Sequence, residues 1–119
     1  MKNVGMVLEG GGQRGVFTSG VLDYLMEKKL KVPYVIGVSA GACNAVDYVS
    51  DQIGRTKKCM IDAQKDYSYI TMKNFLRTGY LFDMDMVFDR FPNELVPFDF
   101  DTYFKSDIRC VMTTTNCLT

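Results

Sequence analysis

The stretch VGMVLEGGGQRG at residues 4–15 decides the fold of this chain, because a compact apolar run ends there in a cluster of glycines. Residues 2–8 therefore predict a short buried strand that the glycines terminate. Over residues 14–29 the apolar side chains recur at helical spacing, which predicts an amphipathic helix. Pro33 blocks any continuation of that helix.

A second strand and a second helix follow directly. Residues 34–38, YVIGV, are apolar, and residues 40–52 have a composition compatible with a helix. This β-α-β-α order predicts the α/β class, with helices packed on a parallel sheet. The pattern is weaker downstream, where we expect helices over 55–67 and 71–77, short helices and loops over 83–101, a helix over 99–105 capped by Asp99, and a strand over 108–115.

Length and composition limit the class of protein. The chain has 119 residues, with 14 Lys+Arg, 14 Asp+Glu and no histidine, so its formal net charge is zero. This length suits one domain or part of one, and the neutral charge gives no reason to expect a nucleic-acid partner. Without histidine, the chain alone can build neither a Ser-His-Asp triad nor a histidine-ligated metal site.

Targeting signals and cysteine spacing indicate the compartment. No apolar run approaches the roughly 20 residues that span a bilayer, and the N-terminal apolar run is too short for a signal peptide. No CxxC pair occurs, so we expect no zinc site and interpret the four cysteines as reduced thiols. We therefore predict a cytoplasmic protein without a metal or cofactor.

The glycine cluster at residues 10–15 can serve two chemistries. N–H groups at the start of a helix favour negative charge, so the Gly10-x-Gly12-x-x-Gly15 spacing fits the pyrophosphate of a dinucleotide. The same amides could form an oxyanion hole for acyl transfer. A dinucleotide site expects an acidic residue after the second strand, where this chain has Ser39. The oxyanion hypothesis is therefore favoured, with a nucleotide- or phosphate-binding module as the alternative.

Residues 37–41, GVSAG, match the nucleophile-elbow pattern G-x-S-x-G between a strand and a helix. Such a turn holds its serine in a strained backbone conformation, so that the hydroxyl of Ser39 would stand clear of the sheet. Gly37 and Gly41 would let the strand and the helix approach each other. The competing interpretation is that Ser39 is an ordinary helix cap.

Three motifs together resemble the patatin-like phospholipases, a family of acyl hydrolases: EGGGQRG at 9–15, GVSAG at 37–41 and VMTTTN at 111–116. The resemblance implies a three-layer α/β fold, a serine–aspartate dyad, and a lipid or other carboxylic ester as substrate, with peripheral membrane contact as an option. It also implies the roles of individual residues: Ser39 as the nucleophile, Gly10, Gly11 and Gly12 as the oxyanion loop supported electrostatically by Arg14, and Gly15, Gly37 and Gly41 as motif glycines.

One element of the family pattern is missing from these residues. The family places its catalytic aspartate in an Asp-Gly motif, and residues 1–119 contain no Asp-Gly pair. We therefore expect a single patatin-like domain over residues 1–119 that stops before its C-terminal part, with the aspartate beyond Thr119. A catalytically inactive fragment is the alternative.

The segment 72–104 is rich in aromatic residues. Its rings could form a flap that contacts acyl chains. Coverage of the sheet as ordinary core is the favoured prediction, because aromatic side chains gain most from burial.

Overall fold

A computed structural model describes residues 3–118, so residue 2, the predicted start of the first strand, lies outside it. The main elements are β1 (Gly5–Leu8), α1 (Gly15–Glu27), β2 (Tyr34–Val38), α2 (Ala40–Val49), α3 (Arg55–Lys57), α4 (Met72–Thr78), α5 (Phe100–Lys105) and β3 (Arg109–Thr113). A 3₁₀ turn, Gly12–Arg14, precedes α1. The remaining helical turns are π-helical at Lys58–Asp62 and Met86–Leu95 and 3₁₀ at Ala63–Lys65.

The three strands form one parallel sheet in the order β1-β2-β3. Parallel neighbours cannot be joined by a tight turn, so a helical crossover links each strand to the next. The register places Met6 beside Val35 and Val35 beside Cys110. This arrangement confirms the predicted α/β class.

The core lies between one face of this sheet and helices α1 and α2. Val35 from β2 is fully buried, as are Ala45 and Tyr48 from α2. Leu22 and Met26, one helical turn apart on α1, complete the same cluster. Among the described residues this supplies the sheet and one helical layer of the expected fold, while Val7 on the other sheet face is 81% exposed.

Tyr48 ties the end of α2 to the loop before β2. Its hydroxyl donates to the Leu30 carbonyl at 2.7 Å and accepts from the Val32 amide at 3.0 Å. Lys31 adds a hydrogen bond from its ammonium to the Tyr48 carbonyl at 2.8 Å and an ion pair with Asp51 at 2.7 Å. Burial raises the pKa of Tyr48, so the phenol remains the neutral donor that this arrangement needs.

The described chain divides into two compact units. The first contains the residues up to Thr56 and those from Asp99 onward, and it holds the whole sheet. The second is Lys57–Phe98, whose buried rings Tyr69 and Phe91 meet edge to face at 6.3 Å.

The aromatic segment is less buried than expected. Phe91 is buried, with 3% of its surface exposed, but most other rings of segment 72–104 are open to solvent, including Phe75 at 45%, Tyr80 at 73% and Phe88 at 62%. The prediction that these rings serve as ordinary core is therefore wrong for most of them among the described residues. The cause is their place in the chain: most belong to the small unit 57–98, which has room for few large side chains inside.

Candidate active site

Ser39 occupies a sharp turn between β2 and α2. Its backbone has φ 53° and ψ −125°, a left-handed conformation that few residues other than glycine adopt. Its carbonyl accepts the first hydrogen bonds of α2, from the amides of Ala42 at 2.9 Å and Cys43 at 3.3 Å. Its side chain is exposed and makes no capping hydrogen bond, so the interpretation of Ser39 as an ordinary helix cap is wrong.

The elbow, residues 37–41, is possible only because two of its positions lack a Cβ atom. A Cβ at Gly41 would collide with the carbonyl oxygen of Leu8 at the end of β1. A Cβ at Gly37 would lie 2.7 Å from the Ala42 amide nitrogen at the start of α2. Main chain therefore contacts main chain where two strands and one helix converge, and this contact fixes the position of Ser39.

The glycine loop, residues 10–12, begins beside Ser39. A Cβ at Gly10 would lie 3.1 Å from the Ser39 Cβ and 3.7 Å from its Oγ. Gly11 and Gly12 both have positive φ, 151° and 57°, which turns the chain from β1 into the 3₁₀ turn. The structure thus brings the predicted glycine loop and the predicted nucleophile to the same edge of the sheet.

Arg14 folds back over this loop. A Cβ at Gly11 would lie 3.4 Å from the Arg14 Nε, and the Arg14 amide donates to the Gly11 carbonyl at 3.2 Å. The side chain is exposed, so water screens its charge in part. A permanent cation nevertheless lies against the loop, which increases the preference of this edge for negative charge.

A buried polar network, formed by Asn44, Asp47, Arg55 and Thr56, lies beneath the elbow. The Asn44 amide nitrogen donates to the Gly15 carbonyl at 2.9 Å. The Thr56 hydroxyl lies 2.9 Å from the Asn44 Oδ1 and 2.8 Å from the Asp47 Oδ2, and Arg55 pairs with Asp47 at 3.0 Å. Burial raises the pKa of Asp47, and the arginine and threonine only partly oppose this effect.

This network was missed in the sequence. Asn44 and Asp47 are three residues apart and therefore lie on one face of α2, but polar residues in a helix ordinarily face water. The available signal was that Asn44 lies one helical turn from both Gly41 and the core residue Tyr48, which place that face toward the sheet.

Cys43 is the other reactive side chain near the elbow. Desolvation, together with the Asp47 carboxylate, raises the pKa of its thiol, although part of the side chain reaches solvent. A neutral thiol is a weaker nucleophile than a thiolate, so the raised pKa disfavours reaction at Cys43. Among residues 3–118, no group of three or more Cys, Asp or Glu side chains is arranged to hold a metal ion.

Comparison with known families shows to which family of proteins this chain belongs. The model of the patatin-like phospholipase family matches residues 6–112, which include most of β1, the glycine loop, the elbow and most of β3. This chain belongs to the patatin-like phospholipase family. Its α/β sheet, with a G-x-S-x-G turn after the second strand, is consistent with that placement.

Two proteins similar in sequence to this patatin-like chain come from a bacterium and a fungus. The uncharacterized protein YjjU of Escherichia coli is 34% identical over 101 residues, which cover 83% of this chain and 28% of YjjU. The lysophospholipase nte1 of Aspergillus terreus is 39% identical over 62 residues, which cover 48% of this chain and 4% of that protein. This chain therefore spans a minor part of either relative. No solved structure gave a significant match.

Within the described part of the chain, no helix has both the length and the apolar character needed to cross a bilayer.

Proposed function

We propose that this patatin-like chain supplies the nucleophile and the oxyanion hole of a serine acyl hydrolase acting on lipid or other carboxylic esters. Ser39 Oγ attacks the ester carbonyl carbon while an aspartate outside residues 1–119 accepts its proton. The aspartate returns that proton to the departing alcohol, which leaves an acyl-enzyme. Water, deprotonated by the same aspartate, then releases the acid and restores the Ser39 hydroxyl.

The conformation of Ser39 carries this proposal. A non-glycine residue at φ 53° is strained, and strain of this kind persists where the surrounding structure enforces it, most often at functional sites. The Ser39 hydroxyl forms no capping hydrogen bond and the residue is exposed, so the hydroxyl is accessible for the proposed attack.

The glycine loop supports the second half of the proposal. Its first residue lies against Ser39, and the loop leads into the N-terminus of α1, where the helix dipole favours a developing oxyanion. Arg14 adds a positive charge over the loop. Loss of one oxyanion donor typically lowers turnover about 100- to 1000-fold, so this edge would account for much of the rate.

The substrate class follows from the family and from one relative. The family model is that of patatin-like phospholipases, and the relative from Aspergillus terreus is named a lysophospholipase. Both support a lipid ester as the substrate, and capture of such an ester would bring the chain into peripheral contact with a membrane.

Covalent labelling tests the nucleophile. The complete gene product is incubated with a fluorophosphonate probe and compared with Ser39→Ala and with Ser68→Ala, an exposed serine outside the elbow. We expect labelling of the wild type and of Ser68→Ala and none of Ser39→Ala. Labelling that survives Ser39→Ala, or a folded wild type that never reacts, would reject the proposal.

A further inference from the structure

We infer that Asn44 is a positioning residue that fixes the glycine loop against the helix carrying Ser39. The role rests on the proposed function, because it matters only if loop and serine act together. Asn44 lies on α2, the helix that begins immediately after Ser39, and its partner Gly15 begins α1, immediately after the loop and its 3₁₀ turn. One hydrogen bond therefore joins the two elements on which the proposed reaction depends.

The hydrogen bond is buried and its direction is fixed. Asn44 is 2% exposed, and its amide nitrogen lies 2.9 Å from the Gly15 carbonyl oxygen. A carbonyl cannot donate, so a flipped Asn44 amide would set oxygen against oxygen. On the other side the Asn44 Oδ1 lies 2.9 Å from the Thr56 hydroxyl, whose single proton can go to this oxygen or to the Asp47 Oδ2 at 2.8 Å, so the Gly15 carbonyl is what sets the orientation of the amide.

The loop needs such an anchor because its own residues are permissive. Gly11 and Gly12 adopt positive φ, and glycine crosses between such conformations at little cost. The loop is therefore held from its ends. Gly10 is held by contact with Ser39, and the far end is held where Gly15 packs closely on Ala40 and accepts from Asn44. Loss of the Asn44 bond would free the far end only.

Asn44→Asp is the decisive substitution. It keeps the shape of the side chain but replaces the donor by a carboxylate oxygen facing the Gly15 carbonyl, which repels it. We expect the rate of fluorophosphonate labelling at Ser39 to fall about 10- to 100-fold near neutral pH, as misplacement by about 1 Å can cause. The deficit should shrink as pH falls, because a protonated carboxyl regains a donor toward Gly15. A purely structural role would restore labelling only in step with the fold itself, which circular dichroism at each pH measures.

A matched control exists in the second unit. Asn74 is also buried, and its amide nitrogen donates to a backbone carbonyl, that of Tyr80, at 2.8 Å. Asn74→Asp makes the same chemical change away from the elbow, so we expect wild-type labelling and no pH-dependent deficit. Asn44→Ala, which removes the donor without adding charge, should label slowly at every pH.

Each outcome decides the matter. Wild-type labelling rates in folded Asn44→Asp and Asn44→Ala would overturn the positioning role and leave the proposed function intact. Loss of fold in both variants, with Asn74→Asp folded, would show that Asn44 is structural and would also overturn it. Absence of labelling in the wild type itself would reject the proposed function, and this role with it.

Discussion

Replacing Ser39 by glycine is expected to stabilise the protein while it removes the proposed nucleophile. The backbone at Ser39 has φ 53° and ψ −125°. A residue with a Cβ atom held in such a conformation costs about 1–3 kcal/mol, and glycine does not bear this cost. The Ser39 side chain makes no capping bond, so little is lost with the hydroxyl.

The net effect is a difference between two terms. Glycine loses more conformational freedom on folding than other residues, which lowers the free energy of unfolding by about 0.5–1 kcal/mol. At mid-range values the relief of strain at Ser39 exceeds that cost, so Ser39→Gly should be about 1 kcal/mol more stable than Ser39→Ala, within a range of about 0–2.5 kcal/mol. Alanine is the proper reference because it also lacks the hydroxyl but retains the Cβ atom and hence the strain.

Urea denaturation of the complete gene product measures the difference, and Ser50 at the other end of α2 provides the control. Ser50 has an ordinary φ of −83°, so Ser50→Gly should be about 0.5–1 kcal/mol less stable than Ser50→Ala. The two sites thus predict opposite signs for the same pair of substitutions. A glycine penalty at Ser39 equal to that at Ser50 would refute the argument from strain.

Three further perturbations test the packing around the site by chemical denaturation. Gly41→Ala should destabilise the protein by about 3 kcal/mol, because the added Cβ would collide with the Leu8 carbonyl. Gly20→Ala is the control: its added Cβ would meet nothing within 4 Å, so it should stabilise α1 by about 0.5–1 kcal/mol. Equal effects of the two substitutions would contradict the close approach at Gly41. Tyr48→Phe should cost about 1–3 kcal/mol, because the buried Val32 amide and the partly buried Leu30 carbonyl lose their partner, and an unchanged midpoint would argue against those bonds. Burial raises the pKa of Asp47, so the Asp47 carboxyl stays protonated to higher pH in the folded protein than in the unfolded chain. The contribution of Asp47 to the free energy of unfolding therefore declines as pH rises through the raised pKa. The stability of the wild type relative to Asp47→Asn should therefore fall from acidic to neutral pH, and a difference independent of pH would contradict the shift.

The strands and the first helices could be predicted because their limits have local causes. β2 was predicted at 34–38 and spans Tyr34–Val38, since a proline precedes it and the elbow follows it. α1 was predicted to reach residue 29 but ends at Glu27, because Lys29 adopts a left-handed φ of 55°. α2 was predicted to reach residue 52 and ends at Val49 for a similar reason, with Asp51 at φ 59°. The side chains of Lys29 and Asp51 do not by themselves predict this left-handed backbone conformation.

The helix over 99–105 also had a local cause. Its predicted cap is confirmed: Asp99 accepts from the Thr102 amide at 2.9 Å, and α5 spans Phe100–Lys105. These hydrogen bonds, from the Thr102 side chain and amide, hold the pKa of Asp99 below its usual range. By contrast, the π-helical turn Met86–Leu95 contains Pro92, which the sequence indicates as a breaker of helices.

Only part of the candidate site could be predicted from the sequence. Glycines mark places where main chain turns sharply or approaches main chain, so the glycine loop and the elbow could be located by pattern alone. Asn44 and Thr56 could not be located in this way. The partner of Asn44, Gly15, lies 29 residues away in the sequence, and Asn44 and Thr56 are themselves 12 residues apart. Residues that act through distant partners leave no local periodicity, and only the packed chain shows them.

The two halves of the site address one physical problem. A strained serine and a flexible glycine loop would each relax if left alone, since neither has a side-chain hydrogen bond of its own to hold it. The elbow prevents relaxation through main-chain contact at Gly41. The buried polar network does so through the hydrogen bond from Asn44 to the carbonyl of Gly15, which follows the loop. Both restraints act on the start of α2, so the geometry of the proposed nucleophile and of the proposed oxyanion hole is set by one helix rather than by two independent loops.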